Sequence, residues 1–205
     1  MPNSSRTKRA LLDAGRKEFA RYGLAGGRTD RIAAVSRVNK QRIYAYFGSK
    51  EGLFEAVVDD ALEDLLDVVP LPSDAPDAAA TVRDYLGNLV AYHRKHPELM
   101  RLMQWESLER TSAIDLRSPR ALKCQAKVQT LATWLGLTPE QTAPLLVQII
   151  LLATGPQAVL NLTAMVLATG PQAALTKTGE AGVTAAMTLI AAAARQADQA
   201  RDTAS

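Results

Sequence analysis

A twelve-residue segment of the chain, from Asn39 to Lys50, is rich in side chains that donate hydrogen bonds or carry positive charge. Arginine can bond guanine through two donors and glutamine can bond adenine at two positions, whereas lysine and tyrosine commonly bind phosphate oxygens. These residue types therefore indicate contacts with a nucleic acid. The side chains concerned are Lys40, Gln41, Arg42, Tyr44, Tyr46 and Lys50.

Two short helices joined by a tight turn are predicted to position these side chains. The first helix begins near Arg28 or Thr29 and ends at a turn formed by Ser36 and Arg37. Helical spacing gives this helix an apolar inner face, which would pack against the rest of the domain. The residues of that face are Ile32, Ala33 and Val35.

The second helix carries the donors. Asn39 is a good N-cap for it, and Ile43 and Phe47 lie four residues apart, so that they can hold the helix against its support. Gly48 ends this helix, and Ser49 caps the longer helix that follows. In a helix-turn-helix, the first residues of the second helix reach base edges in the major groove. The pattern therefore predicts a DNA-binding helix-turn-helix.

The roles of the polar residues follow from their chemistry. We expect Gln41 and Arg42 to contact base edges, and Lys40 to contact either a base or a phosphate. Thr29, Tyr44, Tyr46 and Lys50 are expected to contact the DNA backbone. The full set of candidate DNA-binding residues is Arg28, Thr29, Asn39, Lys40, Gln41, Arg42, Tyr44, Tyr46 and Lys50.

The same residues resemble the N-terminal domain of the TetR-type transcriptional regulators, whose pattern is IA-x-x-A-G-V-x-x-x-x-[LI]-Y-x-[YH]-F-x-[ST]-K-E-x-L. The segment from Arg9 to Gly23 also resembles the first helix of that family and the glycine that ends it. The sequence departs from the pattern at the turn, where Ser36-Arg37 replaces Ala-Gly, so Arg37 must adopt a less favourable conformation or the turn must differ. The matching residues are Ile32, Ala33, Val38, Ile43, Tyr44, Tyr46, Phe47, Ser49, Lys50, Glu51 and Leu53.

The resemblance implies an all-α protein with two domains. Residues 1–50 would form the helix-turn-helix domain, with a basic N-terminal arm, and residues 51–205 a helical effector-binding and dimerisation domain. The family pairs its last long helices in a dimer, which here implicates residues 156–168 and 180–196, although the last helix could instead close the core of the monomer. A homodimer would present two recognition helices to a palindromic operator in double-stranded DNA.

A small apolar or amphipathic effector is the second partner that the resemblance implies. Its binding to a cavity in the C-terminal domain would favour a dimer that no longer fits the operator, so that the protein acts as a repressor. Large or polar residues on the corresponding helices are the candidate ligand contacts, although such residues are also common in ordinary cores. They are Tyr85, Met100, Met103, Gln104, Trp105, Trp134, Gln148 and Asn161.

The charge distribution separates a basic head from an acidic body. Residues 1–50 contain twelve lysines and arginines against three acidic residues, whereas the remaining 155 residues contain twelve basic and eighteen acidic ones. A basic head suits binding to phosphates. Near the N-terminus, Arg6, Lys8 and Arg9 are predicted to form a flexible arm that follows the DNA backbone or enters the minor groove.

The body of the chain has helical periodicity and almost no strand signal. Helices are predicted at 77–93, from Pro97, at 119–134 and from Pro139, where Thr138 and Gln141 form a capping box. Residues 141–176 contain no charge, which raises the possibility of a membrane span. The repeated ATGPQA at 153–158 and 168–173 argues against it, because each Gly-Pro is expected to stop a helix. A last helix is predicted near 180–196.

The sequence contains no G-x-S-x-G, Walker A or G-x-G-x-x-G motif, so we predict no enzyme activity and no cofactor. His93 and His96 have no evident partner ligands, and no metal site is predicted. The single cysteine, Cys124, fits a reducing cytoplasm. Two alternatives stay open: a helical ligand carrier or enzyme with an incidental helix-turn-helix, and a nucleoid-type protein that binds DNA without sequence preference.

Overall fold

The computed structural model describes residues 2–72, 74, 77–110 and 113–202, with the backbone alone at 2, 3, 160–162, 197, 198 and 200–202. Within these residues the chain forms ten helices, and the predicted all-α class is confirmed. Their bounds are α1 Pro2–Gly26, α2 Thr29–Ser36, α3 Lys40–Phe47, α4 Lys50–Val68, α5 Ala78–Lys95, α6 Pro97–Glu109, α7 Pro119–Leu135, α8 Pro139–Ala158, α9 Leu160–Val166 and α10 Pro171–Asp202.

Local capping signals determine where several of these helices begin and end. The Asp77 carboxylate accepts a hydrogen bond from the Ala80 N–H at 3.0 Å and so caps α5. Thr138 and Gln141 form the predicted capping box at the start of α8. Gly136 ends α7 with φ of 63°, a left-handed conformation that glycine adopts without steric cost. These boundaries confirm the sequence prediction. They could be predicted because each cap depends only on residues that are neighbours in the sequence.

One compact unit contains α1, α2, α3, α4 up to Leu65, and α6. The rings of Phe19 in α1 and Phe54 in α4 meet edge to face with centroids 5.2 Å apart. An ion-pair cluster joins the same two helices, since Arg16 lies 2.8 Å from Asp60 and 2.6 Å from Asp64. The core and the cluster together fix α4 against α1.

The first helix breaks at Gly23, which has φ of 67° and ψ of −172°. A side chain there would be strained by the positive φ, and a Cβ would also lie 2.9 Å from the Trp105 ring and from a Glu109 carboxylate oxygen. Glu109 accepts hydrogen bonds from the N–H groups of Leu24 and Ala25. The end of α6 therefore holds the last turn of α1, which precedes α2.

The second compact unit contains the end of α4, α5 and α7–α10. The helices α8 and α10 of this unit lie close together at Gly182, where a Cβ would overlap the backbone carbonyl of Leu152. Leu146 and Ile149 of α8 and Ile190 of α10 are buried in this unit. The small residues of α10 thus allow two helix backbones to pack closely.

Several sequence expectations are wrong. Gly155-Pro156 does not stop a helix, since α8 continues to Ala158. Residues 156–168 therefore do not form one helix but comprise the end of α8 and the seven-residue α9. The last helix begins at Pro171 rather than near residue 180. Tertiary packing of the apolar α8 outweighs the loss of one N–H at a proline so near the helix end.

Two further corrections concern the first unit. The N-terminal segment is helical from Pro2 rather than a flexible arm, and Arg9 in it lies 3.0 Å from Asp13 and 2.9 Å from Asp60. Val35 does not face inward but is 65% exposed. Because α2 has only eight residues, its buried face is completed by Thr29 and Ile32.

Among the described residues, no single helix is both long and apolar enough to cross a membrane. The helices α7 and α8 meet the length and composition requirement only as a pair, and a bend of 106° separates them.

Candidate DNA-binding surface

The turn between α2 and α3 is made by a residue in the left-handed conformation. Arg37 has φ of 57° and ψ of 31°, and its N–H donates to the Ala33 carbonyl. The Val38 N–H donates to the same carbonyl at 3.2 Å. Arg37 thus takes the role that glycine has in the family pattern, at the conformational cost that the sequence predicts.

The recognition helix α3 begins as predicted and exposes the predicted face. The Asn39 side chain accepts a hydrogen bond from the Gln41 N–H at 2.9 Å, which caps the helix. Ile43 is fully buried and anchors α3, whereas Gln41, Arg42 and Tyr44 are exposed. The two candidates for base contacts therefore lie on the solvent side of the first turn.

Lys40, although it lies in the first turn of α3, forms an ion pair within the protein. Its ammonium lies 2.8 Å from an Asp30 carboxylate oxygen in the first turn of α2. The hydrogen bond to Asp30 is the main cause that raises the pKa of Lys40 above its ordinary value. Lys40 is thus fully charged at neutral pH, but a neighbouring carboxylate offsets part of its attraction for phosphate.

The first turn of α1 reaches the recognition helix. The Ser4 hydroxyl lies 3.1 Å from the Tyr46 hydroxyl, and this hydrogen bond is the largest cause that lowers the pKa of Tyr46. A hydrogen bond from Arg42 lowers the pKa of Tyr46 further. Ser4 and Arg42 therefore both orient the Tyr46 hydroxyl.

Glu18 organises the entry to α2, a role that the sequence analysis missed. Its carboxylate accepts hydrogen bonds from the Arg28 N–H at 2.9 Å and from Arg31 Nε at 2.8 Å. The Arg31 guanidinium also lies over the Tyr22 ring, 4.4 Å from its centroid. Partners separated by ten and thirteen residues leave no periodic signal in the sequence, so only the fold reveals this arrangement.

The remaining backbone candidates differ in exposure. Arg28 is exposed at the N-cap of α2, whereas Thr29 is only 8% exposed. Lys50 is half-buried, and its ammonium lies 3.5 Å from the Gly27 carbonyl oxygen. Thr29 is therefore less accessible to DNA than Arg28.

The candidate ligand contacts are divided between the two compact units. Met100, Met103, Gln104 and Trp105 of α6 line a groove in the first unit. In the second unit Tyr85 is buried and Gln148 is exposed. Trp134 is half-buried there, and the side chain of Asn161 lies outside the described residues. Their assignment as effector contacts stays a prediction.

Family models match both parts of the chain. The model for bacterial regulatory proteins of the tetR family matches residues 11–57, which include the helix-turn-helix described above. The model for the tetracyclin repressor-like C-terminal domain matches residues 81–195, more than half of the chain. The chain belongs to the TetR family.

Individual TetR-family members show the same relationship. The HTH-type transcriptional repressor SCO4008 of Streptomyces coelicolor is 45% identical over 103 residues, which are 50% of each chain. The HTH-type transcriptional regulator RutR of Escherichia coli is 33% identical over 108 residues, 51% of this chain and 49% of RutR. The solved structure of the S. coelicolor regulator SCO4942 superposes with a TM-score of 0.67 at 29% identity, covering 89% of this chain and 97% of SCO4942.

The chain spans about half the length of the curated relatives it matches. These relatives are TetR-family transcriptional regulators rather than enzymes, in agreement with the absence of catalytic motifs in the sequence. Within the described residues, no group of three or more His, Cys, Asp or Glu side chains could hold a metal ion.

Proposed function

We propose that this TetR-family protein is a cytoplasmic, DNA-binding transcriptional repressor. The observation that carries the proposal is the exposed first turn of α3, where Gln41 and Arg42 project from a helix anchored by Ile43 and preceded by the Arg37 turn. Side chains at this position of a helix-turn-helix read base edges, and arginine and glutamine have the required paired hydrogen-bonding groups. Residues 1–50 form the proposed DNA-binding domain.

The proposed repressor binds a palindromic operator as a homodimer. Support comes from α8, on which two exposed apolar residues lie four positions apart and so share one face: Val147 is 57% and Leu151 60% exposed. Residues 141–176 carry no charge that would oppose burial of this face. A two-fold dimer through α8 and α10 would present two copies of α3 to major grooves about 34–36 Å apart.

An effector would regulate the proposed repressor through residues 51–205, by binding more tightly to a dimer that does not fit the operator. Such coupling typically changes affinity about 5- to 150-fold. The candidate contacts of this effector are those predicted from the sequence.

The experiment that tests the proposal is selection of duplex DNA from a random pool by the purified protein. We expect enrichment of a palindrome and nanomolar binding of the selected duplex at physiological salt, measured by fluorescence anisotropy. Enrichment of no sequence, with binding that depends on salt alone, would show a nucleoid-type protein. No binding to any duplex would favour the ligand carrier or enzyme.

Sedimentation velocity tests the dimer separately. Leu151→Glu should convert the dimer to a monomer with unchanged helicity, because it places a charge in the proposed interface. Leu122→Glu is the matched control, since Leu122 is 54% exposed on α7, which is not one of the two helices of the proposed interface. A monomeric wild type, or a dimer that survives Leu151→Glu, would contradict this interface.

A further inference from the structure

A groove of about 780 Å³ lies between α1 and α6, within the first compact unit. Apolar side chains of α6 form much of its wall, and Ala20 and Arg21 of α1 form its edge. The volume lies within the range of about 300–1,000 Å³ that small-molecule sites occupy. The apolar lining residues are Met100, Met103, Trp105 and Leu108.

The groove has charge of one sign. Its charged lining residues are Arg21 and Arg101, both exposed, and no carboxylate is found among the described residues that line it. The Arg21 guanidinium lies 5.1 Å from the centroid of the Tyr22 ring, which restricts its movement. Two arginines beside an apolar wall are complementary to a ligand with an anionic head and an apolar body.

A second groove provides a contrast. It has a similar volume of about 780 Å³ and lies between α5 and α10 in the second unit. There, Arg83 and Arg94 are accompanied by Asp84 and Glu180, so the lining has no excess of either charge. Size alone therefore does not distinguish the two grooves, but charge does.

We propose that the groove between α1 and α6 binds an amphipathic organic carboxylate. The carboxylate pairs with Arg21 and Arg101, and the apolar body packs on Met100, Met103 and Leu108. This site consists entirely of residues from the first unit. Its α6 wall includes Met100, Met103 and Trp105, which the family resemblance implied as effector contacts, and Arg21 of α1 adds a charged edge that the resemblance did not include.

Trp105 belongs both to the groove and to the contact between α6 and the last turn of α1, the turn that precedes the helix-turn-helix. Trp105 lines the groove and also abuts Gly23, where α1 breaks. One turn further along α6, Glu109 binds the N–H groups of Leu24 and Ala25. A ligand that shifts Trp105 therefore alters the support of α2 and α3. This second step, an effect on DNA affinity, rests on the proposed function.

Tryptophan emission tests the site without DNA. The chain has two tryptophans, so Trp134→Phe leaves Trp105 as the only reporter. The probes are decanoate and 1-decanol, which share an alkyl chain but differ in charge, both used below aggregation. We expect a saturable emission change with decanoate and at least about tenfold weaker binding of decanol, which corresponds to the loss of one good charged contact.

The double variant Arg21→Ala/Arg101→Ala should weaken decanoate binding at least about tenfold without affecting decanol. Arg83→Ala/Arg94→Ala, which removes two arginines from the other groove, is the matched control and should bind decanoate as before. Titration calorimetry with decanoate and decanol should give the same result for the wild type and the arginine variants without Trp134→Phe, which shows that this substitution does not cause the difference. Equal affinity for the two probes, an absent emission change, or unaltered decanoate binding in Arg21→Ala/Arg101→Ala would overturn the site.

The coupling is tested by adding decanoate to the complex with selected DNA. We expect an affinity change that Arg21→Ala/Arg101→Ala abolishes, and an unchanged DNA affinity would overturn the coupling step. If the protein selects no DNA, the proposed function fails, whereas the emission titration still decides whether the groove binds the carboxylate.

Discussion

Gly182 of α10 faces the backbone carbonyl of Leu152 in α8, so closely that a Cβ at position 182 would overlap the carbonyl oxygen. In a regular helix this carbonyl would accept the N–H of residue 156, which is a proline and has no N–H. Gly182 of α10 has no side chain and Pro156 of α8 has no N–H, and both of these absences occur at the same close contact between the two helices.

Gly182→Ala should lower the free energy of unfolding by about 1–3 kcal/mol, because a methyl group must displace backbone rather than a flexible side chain. Gly87→Ala is the matched control, since a Cβ at Gly87 in α5 meets nothing within 4 Å. The control should raise stability by about 0.5–1 kcal/mol through helix propensity. Urea unfolding measures both, and equal effects of the two substitutions would contradict the close approach.

Arg42→Ala and Lys50→Ala should impair DNA binding in different ways. Arg42→Ala should cost about 1–3 kcal/mol at its base pair and relax sequence preference there. Lys50→Ala should weaken all sequences alike and reduce the dependence of log K on log salt by about 0.9. Anisotropy titrations on the selected operator and its single-base variants separate the two effects. If Arg42→Ala discriminates bases as the wild type does, its proposed role is wrong.

Asp30→Asn should tighten binding to all DNA sequences. The substitution removes a negative charge from the proposed interface and releases Lys40, which lies 2.8 Å from the Asp30 carboxylate. A lysine newly available to a phosphate should steepen the salt dependence by about 0.9. Asp84→Asn on α5 makes the same change of charge in the other unit and should leave the slope unaltered. An unchanged slope in Asp30→Asn would show that Lys40 does not gain a phosphate contact.

Arg37→Gly should stabilise the first unit by about 1 kcal/mol, because Arg37 occupies the left-handed region with φ of 57°. Ser36→Gly, one residue earlier and inside α2, should destabilise it by about 0.5–1 kcal/mol. The two variants differ by one position and have the same new residue. The midpoints of thermal and urea unfolding should therefore rise in Arg37→Gly and fall in Ser36→Gly. A destabilised Arg37→Gly would show that contacts of the Arg37 side chain stabilise the protein by more than its left-handed backbone conformation costs.

Lys127 of α7 should make stability depend on alkaline pH. Its ammonium donates to the Val69 carbonyl at 2.8 Å and lies 3.3 Å from the Tyr85 hydroxyl. Burial lowers the pKa of Lys127 from 10.5 to about 8. Between these values the unfolded chain retains a proton that the folded protein has lost, so the free energy of unfolding rises with pH in this window. Allowing for partial exposure, we expect a gain of about 1–2 kcal/mol.

Urea unfolding from pH 8 to 9.5 measures the rise in the free energy of unfolding that Lys127 causes. In this range the ionisation of Tyr85 does not yet affect stability. Burial raises the pKa of Tyr85 to about 12, and this group lowers stability above pH 10, where the unfolded chain loses its proton first. Lys127→Met should lack the rise, whereas Lys177→Met, at an exposed position of α10, should behave as the wild type. An identical pH profile for Lys127→Met would contradict this assignment.

The sequence by itself determined the features that depend on neighbouring residues. The Asn39 cap, the capping box at Thr138, the glycine ends of α3 and α7 and the strain at Arg37 all arise within one or two turns of the chain. The exposed donors on α3 follow from helical periodicity once Ile43 is assigned to the core. Short-range hydrogen bonds and periodicity therefore sufficed for the helix-turn-helix.

Tertiary structure alone decided the contacts between distant segments. It placed Glu18 against Arg28, Ser4 against Tyr46, and Glu109 against the last turn of α1. It also carried α8 through Pro156 and left Val35 exposed, contrary to local signals. These outcomes depend on which helix faces cover one another, and several buried apolar contacts together can outweigh even the cost of about 3 kcal/mol of a proline inside a helix. No periodicity in the sequence encodes that choice of partners.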